Sequence, residues 1–296
     1  MIDHLAILVI YLVPPGDEWL LDLHLARLQQ HTRVPYTLYA VDNRLTPELR
    51  ARLSAQPNLR WVECPPMPAG RYEPDYFFTC LADRAVVDKP SHLVTLHVDS
   101  FPLADDWAQH LAGHLTETTP FLTVGRLNTA CLFFSRAYYE TRGPPFAQTP
   151  ELNADAAFQE FRVARNIKPH TGIGFVYDAW RRGLGWAELP DTSPPDNDYF
   201  CRVYDGMIFH LGGAARLNKV SARAATLAER LPPAYWVLGK LRRLVNRLPA
   251  GRLKTKLTGP THLLSTLLQA GRFRRARANL QRDPAGYLAD RLKTVI

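Results

Sequence analysis

The sequence predicts an α/β protein, a mostly parallel central sheet flanked by helices, followed by a basic helical extension. Three observations carry this. Short apolar runs of buried-strand type alternate with helical patterns over the first 135 residues. The chain has 296 residues, 46% of them hydrophobic and 22% charged, enough for a sizeable core. Its charge is divided: residues 219–296 carry 17 Lys and Arg against Glu229, Asp283 and Asp290, a net of +14. Residues 1–218 carry 19 against 25, a net of −6. The division sets a body over 1–218 apart from an extension over 219–296, and such a tail suits a polyanionic partner.

The elements follow in order. Leu5 to Val13 is a continuous apolar run closed by Pro14-Pro15, expected as a strand covered on both faces. It falls well short of the roughly 20 residues that cross a bilayer, and Asp3 stands where a signal peptide has its basic region. Asp17 to Gln30 spaces its leucines as a helix beginning near an Asp cap. Residues 36–43, YTLYAVDN, form a strand ending in Asp42-Asn43. Thr46-Pro47-Glu48 opens a helix with a cap, a proline at the first position and an acid in the first turn. A third strand is expected over 59–64, a helix over Tyr72–Val87, a fourth strand over 92–99, a helix over Asp105–Leu115 and another strand over 129–135. Helical pieces follow at Ala154–Ala164 and Val176–Arg182 within a Pro- and Gly-rich region. Residues 204–216, YDGMIFHLGGAAR, read as a short strand ending in His210 and a glycine pair.

Several function classes find no foothold. The chain has no GxxxxGK[ST], no GxGxxG after a strand and no GxSxG. His110 and His114 stand four apart, but HLAGH lacks the glutamate of a metalloprotease helix, and a packed or solvated pair is the expectation. Cys64, Cys80, Cys131 and Cys201 are scattered, with no CxxC pair, as expected of reduced thiols in a cytoplasm.

What remains is carboxylates at strand ends. In open α/β sheets ligands lie outside the carboxyl ends of the strands, and Asp42 and Asp99 end different strands. His97, Asp99 and Ser100, with Pro102 and Trp107 beyond, form an HxDS followed by PxxxxW. This resembles the strand-end motif of glycosyltransferase family 2-like proteins of the GT-A fold, with His97 where the fuller motif has an acid. The resemblance implies a Mn²⁺ or Mg²⁺ site at Asp99 and His210, the metal gathering carboxylate and phosphate oxygens. It further implies a nucleoside-diphosphate sugar held by Asp42 and Asn43, the loop at Val13 and Pro14, His97, Arg71 (with Tyr72 beside it) and Arg216. The inverting reaction it implies needs a base for the acceptor hydroxyl. Asp155 stands in the matching place, with Asn153 and Ala154 instead of the usual acid, and Asp178 is the reserve. PHTGIG, residues 169–174, is expected to line the acceptor side.

The acceptor implied is a saccharide, free or lipid-linked. Residues 234–248 set Trp236 and five aliphatic residues against Lys240, Arg242, Arg243 and Arg247, a pattern suited to an anionic membrane surface or to packing on the body. No motif points to nucleic acid. The expected place is the cytoplasm, peripheral on the inner face of its membrane. Two rivals stand beside this reading. A nucleotidyltransferase would need a Gly-rich loop where the chain has YLVPPGDE. A GT-A-like binding protein without catalysis would be compatible with the departures at His97 and Asn153-Ala154.

Overall fold

A computed structural model describes residues 2–125, 128–146, 149–165, 171–194, 201–212, 244–245 and 270–293. By mutual contact these fall into two units: 2–194 with 203–210, and 201–202 with 211–293. The boundary drawn from charge at 219 lies outside the described residues.

The first unit is built on a seven-stranded sheet. Its strands are β1 (Leu5–Tyr11), β2 (Tyr36–Asp42), β3 (Leu59–Trp61), β4 (His92–Leu96), β6 (Phe121–Val124), β7 (Asn128–Ser135) and β8 (Ala187–Leu189), in the order β3-β2-β1-β4-β7-β6-β8. β2 and β4 flank β1, parallel to it, β3 runs parallel to β2, and β8 runs parallel to β6. Only β7 opposes its neighbours. The short link after β6 leaves no room for a crossover, so the β6–β7 pair must be antiparallel. The fold is therefore the mostly parallel α/β class expected. The sequence reading missed β6 and β8, strands of only four and three residues, too short for a periodicity of their own.

Helices cover both faces, which is why β1 is apolar at every position. Leu5, Ile7, Val9 and Tyr11 face one apolar layer, with α1 (Glu18–His31), α2 (Pro47–Ser54) and α4 (Trp107–Gly113). Ala6 and Leu8 face the other, with α3 (Glu73–Val87), α5 (Arg136–Arg142), α7 (Ala156–Ala164) and α8 (Ile173–Arg181). A short α6 (Pro150–Ala154) precedes α7. In the second layer Phe175 lies 4.9 Å from Phe134, 5.0 Å from Phe146 and 5.6 Å from Phe121, ring centre to ring centre.

Two expectations change in a way that matters for function. The fourth strand, expected over 92–99, ends at Leu96. The Ser100 N–H donates to the His97 carbonyl at 2.9 Å, and the Ser100 hydroxyl accepts from the His97 N–H at 2.8 Å. This closes a tight turn that carries the chain out of the main sheet. The chain resumes as β5 (Ser100–Pro102) in a separate three-stranded sheet of order β5-β10-β9. The second change is at YDGM, expected to open a strand, which instead closes a hairpin between β9 (Cys201–Tyr204) and β10 (Ile208–Leu211). Asp205 and Gly206 take positive φ, 52° and 67°, and Asp and Gly are suited to that conformation.

In the second unit the described residues are mainly a helical stretch over 270–282 and α9 (Pro284–Leu292). Ala270, Phe273, Ala276, Leu280 and Leu288 are buried there, and Arg291 donates to the Cys201 carbonyl at 3.3 Å. Of the expected basic helix over 234–248 only Leu244, exposed, and Val245, buried, are described. Among the described residues no helix is long and apolar enough to cross a membrane.

Candidate functional site

Three side chains converge at the carboxyl end of β4. His97 and Asp99 come from the turn that ends the strand. His210 comes from far along the chain, because β10 pairs with β5 in a register that sets His210 opposite Ser100. Asp99 Oδ1 lies 3.8 Å from His97 Nδ1 and 3.8 Å from His210 Nε2, and one ligand atom from each residue falls within 4.8 Å of the others. The rings of His97 and His210 meet edge to face at 5.9 Å. His97 is fixed on its far side: Nε2 lies 3.2 Å from the Thr129 hydroxyl on β7, and the ring stacks on Phe78 of α3 at 6.3 Å. Thus His97, grouped from the sequence with the nucleotide-binding residues, stands beside Asp99 and His210.

Donor chemistry and charge decide whether such a set suits a divalent cation. Asp99 and His210 are buried, and His97 is the most open of the three. Burial pushes both imidazoles down, His97 to about 4 and His210 to about 3, which favours the neutral form that ligates a cation. Burial first, and then the charge of Asp17, push Asp99 up to about 7, against a backbone hydrogen bond that lowers it. A cation among these groups would offset both burial and repulsion. The residues fit. Two imidazoles turn the set away from Mg²⁺, whose ligands are oxygens, and towards Mn²⁺ or a softer transition ion.

Sequence reasoning missed much of the surroundings. Asp17 was expected to cap α1. It holds the cap position without a side-chain cap bond, and lies buried near enough to repel Asp99. His24 on α1 puts Nδ1 3.0 Å from the Ser100 carbonyl and leaves Nε2 buried without a partner, while the Tyr11 hydroxyl beside it is also unpartnered. Nothing in the spacing of a helical histidine signals this, since the contact spans 76 positions.

A second feature lies at the ends of β2 and β3. A cavity of about 370 Å³ is lined by Val41, Asp42, Arg50, Trp61, Val62, Glu63, Cys64 and Phe77. Asp42 accepts from Arg50 at 2.5 Å and from the Leu45 N–H at 2.9 Å. The Arg50 guanidinium lies 4.7 Å from the centre of the Trp61 ring. Asn43 is buried, donates its N–H to the Tyr11 carbonyl at 3.0 Å and accepts from Arg44 at 2.9 Å. Val13 is buried and Pro14 half-buried in the loop after β1. Arg71 lies in the loop before α3, where its charge holds the Glu151 carboxyl down as the weakest of several causes led by the Thr149 hydroxyl. Arg216 lies outside the described residues.

The two expected bases are both tied. Asp155 caps α7, accepting from the Ala157 N–H at 2.9 Å and from the Tyr177 hydroxyl at 2.7 Å, and the Tyr177 bond leads in lowering its carboxyl. Asp178 accepts from the Tyr138 hydroxyl at 3.0 Å and from Arg182 at 2.8 Å. A third carboxylate, Asp75 near the start of α3, was not singled out. It is buried, its Oδ1 has no partner, and burial lifts it to about 6 against a hydrogen bond from Thr171. Phe78, the ring stacked on His97, stands one helical turn on. Of PHTGIG, residues 169 and 170 lie outside the described residues. Thr171 reaches Asp75, Gly172 takes φ 91°, and at Gly174 the Pro145 carbonyl occupies the place of a Cβ.

No protein-family model matches this chain, and no curated protein matches it in sequence. Among solved structures it is similar to a putative nucleotide-diphospho-sugar transferase from Desulfovibrio desulfuricans, at 12% identity over 64% of this chain and 80% of that one, with a TM-score of 0.41. It is similar to the mannosyltransferase PcManGT from Pyrobaculum calidifontis, solved with GDP-Man and Mn²⁺, at 14% identity over 99% and 86%, with a TM-score of 0.41. It is also similar to the galactosyltransferase LgtC, solved with donor and acceptor sugar analogues, at 10% identity over 72% and 88%, with a TM-score of 0.42. Likeness of this degree carries no argument about activity.

Proposed function

We propose that the protein is a glycosyltransferase that moves a sugar from a nucleoside-diphosphate donor to a saccharide acceptor. The observation that carries the reading is the convergence of His97, Asp99 and His210, two imidazoles around a buried carboxylate, beyond the carboxyl end of β4, where open α/β sheets bind ligands. In this reading the three residues hold a divalent cation, Mn²⁺ before Mg²⁺, and through it the diphosphate. When bound, the cation supplies neutralisation of the charge that develops on the leaving diphosphate. The nucleoside occupies the cavity at Asp42, Arg50 and Trp61, and Asn43, Val13 and Pro14, which do not line that cavity, are proposed to approach the nucleotide from the resemblance alone. Arg71 and Arg216 are proposed, from the resemblance alone, to approach the phosphates.

The acceptor hydroxyl needs a base with a free lone pair. Asp75 meets that demand better than Asp155 or Asp178, because one oxygen is unpartnered and burial raises its affinity for a proton towards working pH. The basic extension over 219–296 is proposed to meet an anionic membrane surface, in keeping with a lipid-linked acceptor and a cytoplasmic face. A second reading, a nucleotide-binding protein without transfer, is favoured by the tying of Asp155 and Asp178.

A thermal-shift panel tests the donor site. Nucleoside diphosphates at about 100 times their Kd add about 2.7 kcal/mol, which for a domain of this size raises Tm by roughly 5–10 °C. The gain is expected with Mn²⁺ and at least one nucleobase, and is expected to vanish in Asp99→Asn. Flat curves across the panel, or an unchanged shift in Asp99→Asn, would sink the assignment.

A further inference from the structure

The hairpin that delivers His210 meets a second cluster of metal-ligating groups, away from the strand ends. His110 lies on α4 and His114 caps its C-terminus, four positions apart and so on one face. Asp205 stands at the tip of the β9–β10 turn. Asp205 Oδ2 lies 2.7 Å from His110 Nε2 and 4.0 Å from His114 Nε2, and the two Nε2 atoms are 3.4 Å apart. The two rings meet edge to face at 5.1 Å.

We propose that His110, His114 and Asp205 form a second divalent-metal site, of the zinc class, that pins the β9–β10 turn to α4. The geometry supports this atom by atom. A tetrahedral ion with Zn–N and Zn–O bonds of about 2.0–2.1 Å holds its ligand atoms about 3.3 Å apart. The Nε2 pair already stands at 3.4 Å. The two carboxylate separations, 2.7 and 4.0 Å, straddle the tetrahedral value, and a shift of Asp205 Oδ2 by about 1.3 Å, within the reach of a side-chain rotation, brings both to it. Two imidazoles with one carboxylate is a donor set that suits zinc and its neighbours rather than Mg²⁺ or Ca²⁺.

The carboxylate is also pre-positioned. Asp205 donates its N–H to the Pro190 carbonyl at 2.9 Å, the Met207 N–H reaches the Tyr204 carbonyl at 2.9 Å, and the Gly206 N–H reaches the Thr192 hydroxyl at 3.1 Å. An ordered turn spares the ion the cost of ordering its ligand. His114 is partly exposed, so water can take the fourth position. The role that follows from the position of the cluster is mechanical. Two residues beyond the turn, β10 begins its pairing with β5, Ile208 opposite Pro102 and His210 opposite Ser100. An ion at the turn therefore stiffens the hairpin that presents His210.

Zinc titration of the full chain, in competition with a chromophoric chelator, tests the site. Wild type and Asp99→Asn are expected to bind one equivalent in common, and His114→Ala is expected to weaken that equivalent by on the order of tenfold or more. Asp205→Asn keeps a residue that tolerates positive φ while removing the charge, and is expected to weaken it likewise. Mg²⁺ in large excess is expected not to compete. Hydrogen exchange in residues 204–210 should slow when zinc is added to Asp99→Asn. The proposal fails if wild type binds no zinc, if His114→Ala and Asp205→Asn bind it as wild type does, or if all binding disappears in Asp99→Asn.

Discussion

Asp75 and Asp155 are the same side chain near the starts of two helices, yet their surroundings push them in opposite directions. Asp155 is held down by the Tyr177 hydroxyl and the α7 N–H groups. Asp75 is lifted to about 6 because burial penalises its charge more than the Thr171 bond relieves it. A folded-state value above the unfolded one, near 3.9, means stability that is present in acid and lost as pH rises through about 6. Asp75→Asn should therefore match wild type in urea unfolding near pH 4. By pH 8 it should exceed wild type by at most about 3 kcal/mol, the equivalent of roughly two pH units. A pH-independent difference would show that burial of charge is not the cause. The same variant tests catalysis: turnover should fall by about 10²-fold or more with donor binding intact, whereas Asp155→Asn, which still caps, should stay within a few-fold of wild type. The reverse pattern would return the base to Asp155.

At the scale of elements, local sequence signals were the most legible. Thr46-Pro47-Glu48 announced a capped helix, and α2 begins at Pro47 with the Thr46 hydroxyl accepting from the Leu49 N–H at 3.4 Å. Thr46→Ala should lower the unfolding free energy by about 0.5–2 kcal/mol, and Thr46→Asn should restore it. A loss in both variants would point to packing rather than to the cap. The end of β4 was misjudged for a physical reason. Val98 continues the apolar run, but the turn at His97–Ser100 is closed by the Ser100 hydroxyl, which donates to the Ala130 carbonyl at 2.6 Å on a strand some 30 positions away. A serine reads as a polar residue in sequence, and its partner is invisible there.

For the whole molecule, the alternation of apolar runs and helical patterns was sufficient to predict a two-faced sheet, because both faces of a parallel sheet must be covered. The apolar layer formed by α3, α5, α7 and α8 gathers Phe121, Phe134, Tyr138, Tyr139 and Phe146 around Phe175. Phe175→Ala should cost about 3–5 kcal/mol through lost transfer energy and the cavity left behind. A loss below about 1 kcal/mol would mean that the layer collapses around the deletion.

The sequence by itself determined the class of the sheet, the capped start of α2 and the strand-end carboxylate Asp42, and it placed Asp99 near the end of β4. All of these depend on residues within one or two turns of each other. Only the tertiary structure decided which side chains meet. His210 reaches Asp99 because β10 pairs with β5, His24 reaches Ser100 from α1, and Asp205 reaches His110 across 95 positions. Such meetings are set by strand register and helix packing. Those in turn follow from burying two apolar layers at once, a condition on the whole chain that no short stretch encodes.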